Sequence, residues 1–125
     1  MRFLVDTNIL FWVITDTQRL SAKTRQLFND SNHRFWTSPL SIAELRIKES
    51  IGKISLPERF GSLIVETGFE TLPFLPQHAH WLAELPLHHR DPFDRMLVAQ
   101  AAEEGLTLIT SDKTLSLYPI ATLIN

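Results

Sequence analysis

Two short apolar runs in this chain, residues 2–5 and Leu106–Thr110, each break off at an acidic turn, Asp6-Thr7-Asn8 in the first case and Ser111-Asp112 in the second. Runs this short and this apolar read as buried strands. Where such strands alternate with helices, they form a largely parallel sheet with helices on both faces. Side chains just past the C-terminal ends of parallel strands point into the ligand crevice. Asp6 and Asp112 are far apart in sequence, yet a sheet of this kind can bring them to one edge.

The stretches between the two runs carry the alternation that this architecture requires. A short helix is expected over Ile9–Val13 and a second from Ser21 to about Asp30. Arg34-Phe35-Trp36-Thr37-Ser38 reads as a second strand, after which Ser38-Pro39 opens a helix that ends near Gly52. Pro suits the first helical position and Ser is a good cap. Further helices are expected over Pro57–Gly68 and Gln77–Leu85, with a short strand at Glu70-Thr71-Leu72 between them. The clearest helix has Asp91 as its cap, Pro92 at its first position and Gly105 as its stop. Residues Ile120–Ile124 are expected to form a last edge strand. The sum is a three-layer α/β/α domain, residues 1–125, with a central and mostly parallel sheet.

A length of 125 residues suits one domain, and a hydrophobic content of 44% with eight Phe and three Trp supplies a core. The chain has no cysteine, which excludes disulfides, thiolate zinc sites and a cysteine nucleophile. Its longest uninterrupted apolar run, Ile9 to Ile14, is six residues, against roughly 18–20 for a membrane-spanning helix. Asp6 and Asn8 interrupt what would be a signal-peptide core. The expectation is a cytoplasmic protein without a membrane partner. The net charge of −2 does not announce a nucleic-acid binder.

Two more acids join Asp6 and Asp112. Glu44 and Asp94 lie in the first turns of helices expected to begin near the same sheet edge, and gathered carboxylates need a cation to offset their repulsion. An all-oxygen donor set, with no His pair at helical i, i+4 spacing, selects Mg²⁺, or Mn²⁺, over Zn²⁺. An ion so held can activate water and stabilise charge on a phosphodiester. Setting the four acids aside leaves ten acidic side chains against twelve Lys and Arg, a mildly basic remainder. Each acid also has a purely structural reading. Asp6 and Asp112 fit turn or cap positions, and Asp91 and Asp94 fit the cap and third position of their helix. Ser41-Ile42-Ala43-Glu44 matches a capping box, unless Ser38 is the true cap. The conjunction of the four carries the functional reading.

These residues resemble a known pattern. Leu4-Val5-Asp6-Thr7-Asn8-Ile9-Leu10 is similar to the opening motif of PIN domains, and Ser41-Ile42-Ala43-Glu44-Leu45 to their second motif. The segment from His89 through Arg90-Asp91-Pro92-Phe93-Asp94-Arg95 to Ala101 resembles the third motif of a VapC-like branch, and Leu108-Ile109-Thr110-Ser111-Asp112 the fourth. The order is that of the family, and the likeness runs from residue 3 to about residue 118.

The resemblance implies a Mg²⁺-dependent endoribonuclease, the toxin of a type II toxin–antitoxin pair. Asp6, Glu44, Asp94 and Asp112 match the acidic quartet, with Asp6 and Asp94 at the family's metal-ligand positions. Thr7, Asn8 and Thr110 match positions that orient carboxylates or water, whereas Asp91 has no counterpart in the wider pattern. Candidate RNA contacts are Arg46, Lys48, Lys53, Arg90, Arg95 and Lys113, which flank the acidic motifs. His88 and His89 are candidate acid–base groups, although a loop His pair more often is merely exposed. The resemblance further implies an RNA substrate, a cognate antitoxin protein and a homodimer. Phe11, Trp12, Phe28, Phe60, Leu63 and Ile64 are candidates for such interfaces, or for the core. The alternative within the fold is a nuclease on structured DNA or a non-catalytic protein-binding module. A receiver-type phosphoacceptor would want paired acids after the first strand, and a haloacid-dehalogenase-like phosphatase an acid where Asn8 stands.

Overall fold

The computed structural model describes residues 1–125. Five strands, β1 (Arg2–Val5), β2 (Arg34–Thr37), β3 (Glu70–Thr71), β4 (Thr107–Thr110) and β5 (Thr122–Ile124), form one sheet in the order β3-β2-β1-β4-β5. Every pairing is parallel. The chain builds outward from β1 to β3, then returns to lay β4 and β5 on the other side. The boundary between β1 and β4 is therefore the topological switch point, where open α/β sheets leave a crevice. The ladder there runs one residue past β1: the Asp6 amide donates to the Ile109 carbonyl at 3.0 Å, which fixes Asp6 beside the end of β4.

Alternation along the strands divides the core into two. Phe3, Val5 and Ile109 face one apolar cluster, which includes Ile9 and Leu10 of α1 (Thr7–Thr15), Leu45 of α3 (Pro39–Ser50) and Phe60 of α4 (Phe60–Glu66). Leu4 and Leu108 face the other, built from Leu97, Val98 and Ala101 of α6 (Pro92–Glu104) together with Leu85, Leu115 and Tyr118. Each fully buried Leu, Ile or Phe contributes about 1.5–3 kcal/mol. The sheet is thus held between two helical layers. Of the residues considered for interfaces, Phe60 is buried, and Phe11, Trp12, Phe28, Leu63 and Ile64 are partly buried.

The helix starts follow side-chain capping. Asp6 accepts from the Ile9 amide at 2.8 Å and opens α1 at Thr7, two residues before the sequence expectation. Ser21 accepts from the Thr24 amide at 3.1 Å and opens α2 (Ala22–Phe28). Ser38 accepts from the Leu40 amide at 3.1 Å with Pro39 at the first position of α3. Asp91 accepts from the Phe93 and Asp94 amides at 2.8 and 3.3 Å, and Gly105 ends α6 in the left-handed region with φ 65°.

Two expected helices differ. The segment from Pro57 forms a turn first, closed by the Phe60 amide donating to the Pro57 carbonyl at 3.0 Å, and α4 begins only at Phe60, with no side-chain cap at Arg59. The Gln77–Leu85 helix is broken: α5 (Pro76–His80) tightens into a 3₁₀ turn over Trp81–Ala83. Pro86 has no N–H to donate to the Leu82 carbonyl, so the α-helix cannot continue through it. The Arg95 guanidinium donates to Leu82 at 3.1 Å instead.

Candidate active site

Asp6 is buried at the end of the central strand. Burial pushes its carboxyl up to about 6. Hydrogen bonds from the Thr110 side chain and the Ile9 amide pull the other way, while the Glu44 and Asp112 charges push further up. Thr110 is itself buried, and its hydroxyl accepts from the Asp112 amide at 3.0 Å. One threonine at the end of β4 therefore ties together the turns that carry the two strand-end acids.

Glu44 reaches the same place from α3. The Thr7 hydroxyl donates to the Ser41 hydroxyl at 3.0 Å, with both residues buried, and so staples the start of α1 to the first turn of α3. Glu44 lies three residues on and shares Ser41's helix face. Ser38, not Ser41, caps α3, so Glu44 is no capping-box partner. It is 6% exposed. Its Oε2 pairs with Lys48 Nζ at 2.8 Å, and its Oε1 is buried without any hydrogen-bond partner.

Asp94 projects from the first turn of α6. Burial, then the charges of Asp91, Asp6 and Glu44, push its carboxyl up to about 7, with His89 acting in the opposite sense. Asp112 behaves differently. Burial pushes it up, but hydrogen bonds from the Thr114 backbone and side chain and from His89 outweigh that and hold it below the usual carboxylate range. The four acids expected from the sequence thus share one electrostatic environment, with Asp6 and Glu44 deepest.

The supporting positions divide. Thr7 and Thr110 bond within the site, Asp91 caps α6, and Asn8 is exposed on the first turn of α1. The basic candidates divide as well. Lys48 is bound to Glu44, and Arg46 donates to Glu49 at 2.9 Å while lying over the Phe60 ring. Arg95 donates to the backbone carbonyls of Leu82, in the 3₁₀ turn, and Leu85, just beyond it. Lys53, Arg90 and Lys113 are exposed.

His88 and His89 have opposite environments. His88 is exposed and packs edge-on to Tyr118. His89 enters the site, with Nε2 at 2.9 Å from Asp112 Oδ2 and 3.4 Å from Asp94 Oδ2. Ligand atoms of His89, Asp94 and Asp112 lie within 4.8 Å of one another. Sequence reasoning gave His89 no better claim than His88. Ser41 was likewise visible only as a possible cap.

A divalent cation fits this donor set. A buried carboxylate oxygen stands unpaired at Glu44, and burial, with the repulsion of neighbouring carboxylates, makes Asp6 and Asp94 resist ionisation. Asp94 and Asp112, whose ligand atoms lie within 4.8 Å of each other, are the residues that would hold it, with Asp6 and Glu44 outside that close group but acting on Asp94 through their charge.

A parallel α/β domain with carboxylates gathered at its switch point defines an acidic-site protein of the α/β class. The PIN domain family model matches residues 3–120, and the chain belongs to the PIN domain family. No curated protein matches it in sequence. In fold it is similar to VapBC2 from Rickettsia felis, solved bound to a DNA fragment from their promoter, with TM-score 0.75, 19% identity and coverage of 100% of this chain and 99% of that one. It is also similar to DNA-bound VapBC from Salmonella typhimurium, with TM-score 0.72, 20% identity and coverage of 99% and 98%. A third likeness is to VapBC-5 from Mycobacterium tuberculosis, a member of the VapBC family of toxin-antitoxin systems, with TM-score 0.60, 20% identity and coverage of 98% and 96%.

Proposed function

We propose that this chain is a divalent-metal-dependent endoribonuclease and the toxin of a toxin–antitoxin pair. The observation that carries the reading is the unpaired, buried Glu44 Oε1 together with Asp6 and Asp94, whose ionisation burial and neighbouring carboxylates oppose and a nearby cation would favour. Mg²⁺, or Mn²⁺ in its place, would supply a Lewis acid that activates water and offsets charge on the phosphodiester. The chain's own part is to hold that charge in place. Asp6 is fixed by its ladder bond and its helix cap, Glu44 by the Thr7–Ser41 staple, and Asp94 by the cap at Asp91. Thr110 sets the strand-end turns against each other.

Lys53, Arg90 and Lys113 are the exposed cations best able to meet RNA phosphates. The antitoxin partner rests on the likeness to VapBC toxin–antitoxin structures, and the homodimeric state on the resemblance of the sequence motifs alone. No helix is long and apolar enough to cross a membrane.

The test is cleavage of matched RNA and DNA oligonucleotides with Mg²⁺, with EDTA, and with Asp94→Asn. Cleavage of RNA alone, lost with EDTA and reduced at least about 100-fold in the variant, is expected for an interaction of this kind. Cleavage of DNA in preference to RNA, or an Asp94→Asn protein as fast as the parent, would overturn the reading.

A further inference from the structure

His89 is the one imidazole set among the acids, and its surroundings fix which of its ring nitrogens carries the proton. The Asp91 amide donates to Nδ1 at 3.0 Å. A backbone N–H can only donate, so Nδ1 must present its lone pair and the proton must sit on Nε2. That N–H is aimed between two carboxylates, 2.9 Å from Asp112 Oδ2 and 3.4 Å from Asp94 Oδ2. The position of the ring is fixed from behind, because the His89 amide donates to Tyr118 Oη at 3.0 Å and Tyr118 is buried in the core.

We propose that His89 is a positioning residue, locked as an Nε2–H donor that holds Asp112 facing Asp94, and that it is not itself a metal ligand. Coordination through Nε2 would require the proton to move to Nδ1, where it would confront the Asp91 N–H. The geometry therefore keeps the donor set all-oxygen even though an imidazole lies within ligand reach of it. It also gives Asp91 a second duty. The residue whose side chain caps α6, and so places Asp94, uses its own amide to set the histidine that places Asp112. The two acids are referenced to a single turn of chain. The inference rests on the metal-site reading above, but its test does not pass through RNA cleavage.

The test uses the intact protein labelled with [¹⁵N]histidine. Long-range ¹H–¹⁵N spectra report the tautomer of each of the five histidines, and the His89→Gln spectrum assigns the resonance of interest. The proton is expected on Nε2, with and without Mg²⁺. In the Mn²⁺-loaded protein, pulsed electron paramagnetic resonance should show no directly coordinated ¹⁴N. Mn²⁺ affinity should fall roughly 10- to 100-fold in His89→Ala, the range for outer-shell partners of metal ligands. It should be largely restored in His89→Gln, whose amide N–H can occupy the place of Nε2.

A proton found on Nδ1, a ¹⁴N coupling that vanishes in His89→Gln, or an alanine variant that binds Mn²⁺ like the parent would each overturn the proposal. A parent protein that shows the expected tautomer and Mn²⁺ affinities but cuts no RNA would refute the nuclease reading and leave the role of His89 standing.

Discussion

Replacing Asp94 with Asn keeps the shape of the side chain, and its Oδ1 can still accept from His89, but the charge is gone. Without a cation, the parent must ionise Asp94 against burial and against Asp91, Asp6 and Glu44, which moves the carboxyl from 3.8 to about 7. At about 1.4 kcal/mol per unit, a shift of this size is a destabilisation on the order of 4 kcal/mol in the fully ionised protein. Burying the amide takes part of that back, leaving a net gain of roughly 2–4 kcal/mol for the variant. The sign follows from linkage. The folded state binds this proton more tightly than the unfolded chain does, so stability is greatest below pH 4 and is lost as pH rises through about 7. Asp6 adds a loss of the same sign as pH rises to about 6. Thermal unfolding in EDTA should therefore place Asp94→Asn on the order of 10 °C above the parent at pH 8, and the gap should nearly close at pH 5. Adding Mg²⁺ at pH 8 should raise the parent's Tm and leave the variant's in place. A variant no more stable than the parent at pH 8, or a gap that does not change with pH, would refute the reasoning.

Two further predictions use other parts of the molecule. Lys48→Met removes the cation paired with Glu44 Oε2, and divalent-ion affinity should rise by roughly tenfold because an adjacent positive charge no longer competes; calorimetric titration with Mn²⁺ would show it, and a weaker affinity would contradict it. Gly105→Ala places a side chain at φ 65°, which should lower stability by about 1–2 kcal/mol in chemical denaturation while RNA cleavage below the melting range stays unchanged.

The parts of this fold legible in the sequence are those decided by neighbours along the chain. The strand ends at Asp6 and Asp112, the Ser38-Pro39 and Asp91-Pro92 helix starts and the Gly105 stop each rest on residues within a turn of one another. What the sequence hid is decided by distant partners. The break at Trp81 depends on a proline five residues on and on an arginine from α6. Along the chain Ser41 reads only as a possible cap; its actual partner, the Thr7 hydroxyl, comes from another helix. His88 and His89 are adjacent and chemically identical. Only the Asp91 amide and the Tyr118 hydroxyl, the latter twenty-nine residues away, turn one of them into the site.

The four acids are not equivalent, and the difference has a consequence for how a cation would enter. Asp112 is partly exposed, is bonded to the Thr114 amide and His89, and is held below the usual carboxylate range, so it stays ionised well into the acid range. Asp6 and Asp94 are deeper and hold protons up to about 6 and 7 when no cation is present. Under the proposed reading, Asp112 would be the ionised, outer acid open to a cation, whose charge would favour ionisation of Asp6 and Asp94. Affinity gained at the inner acids is reduced by the work of removing their protons, and this reduction shrinks as pH rises. The same burial that makes those acids reluctant to ionise lowers the local dielectric, and so strengthens their hold on the ion once they have done so.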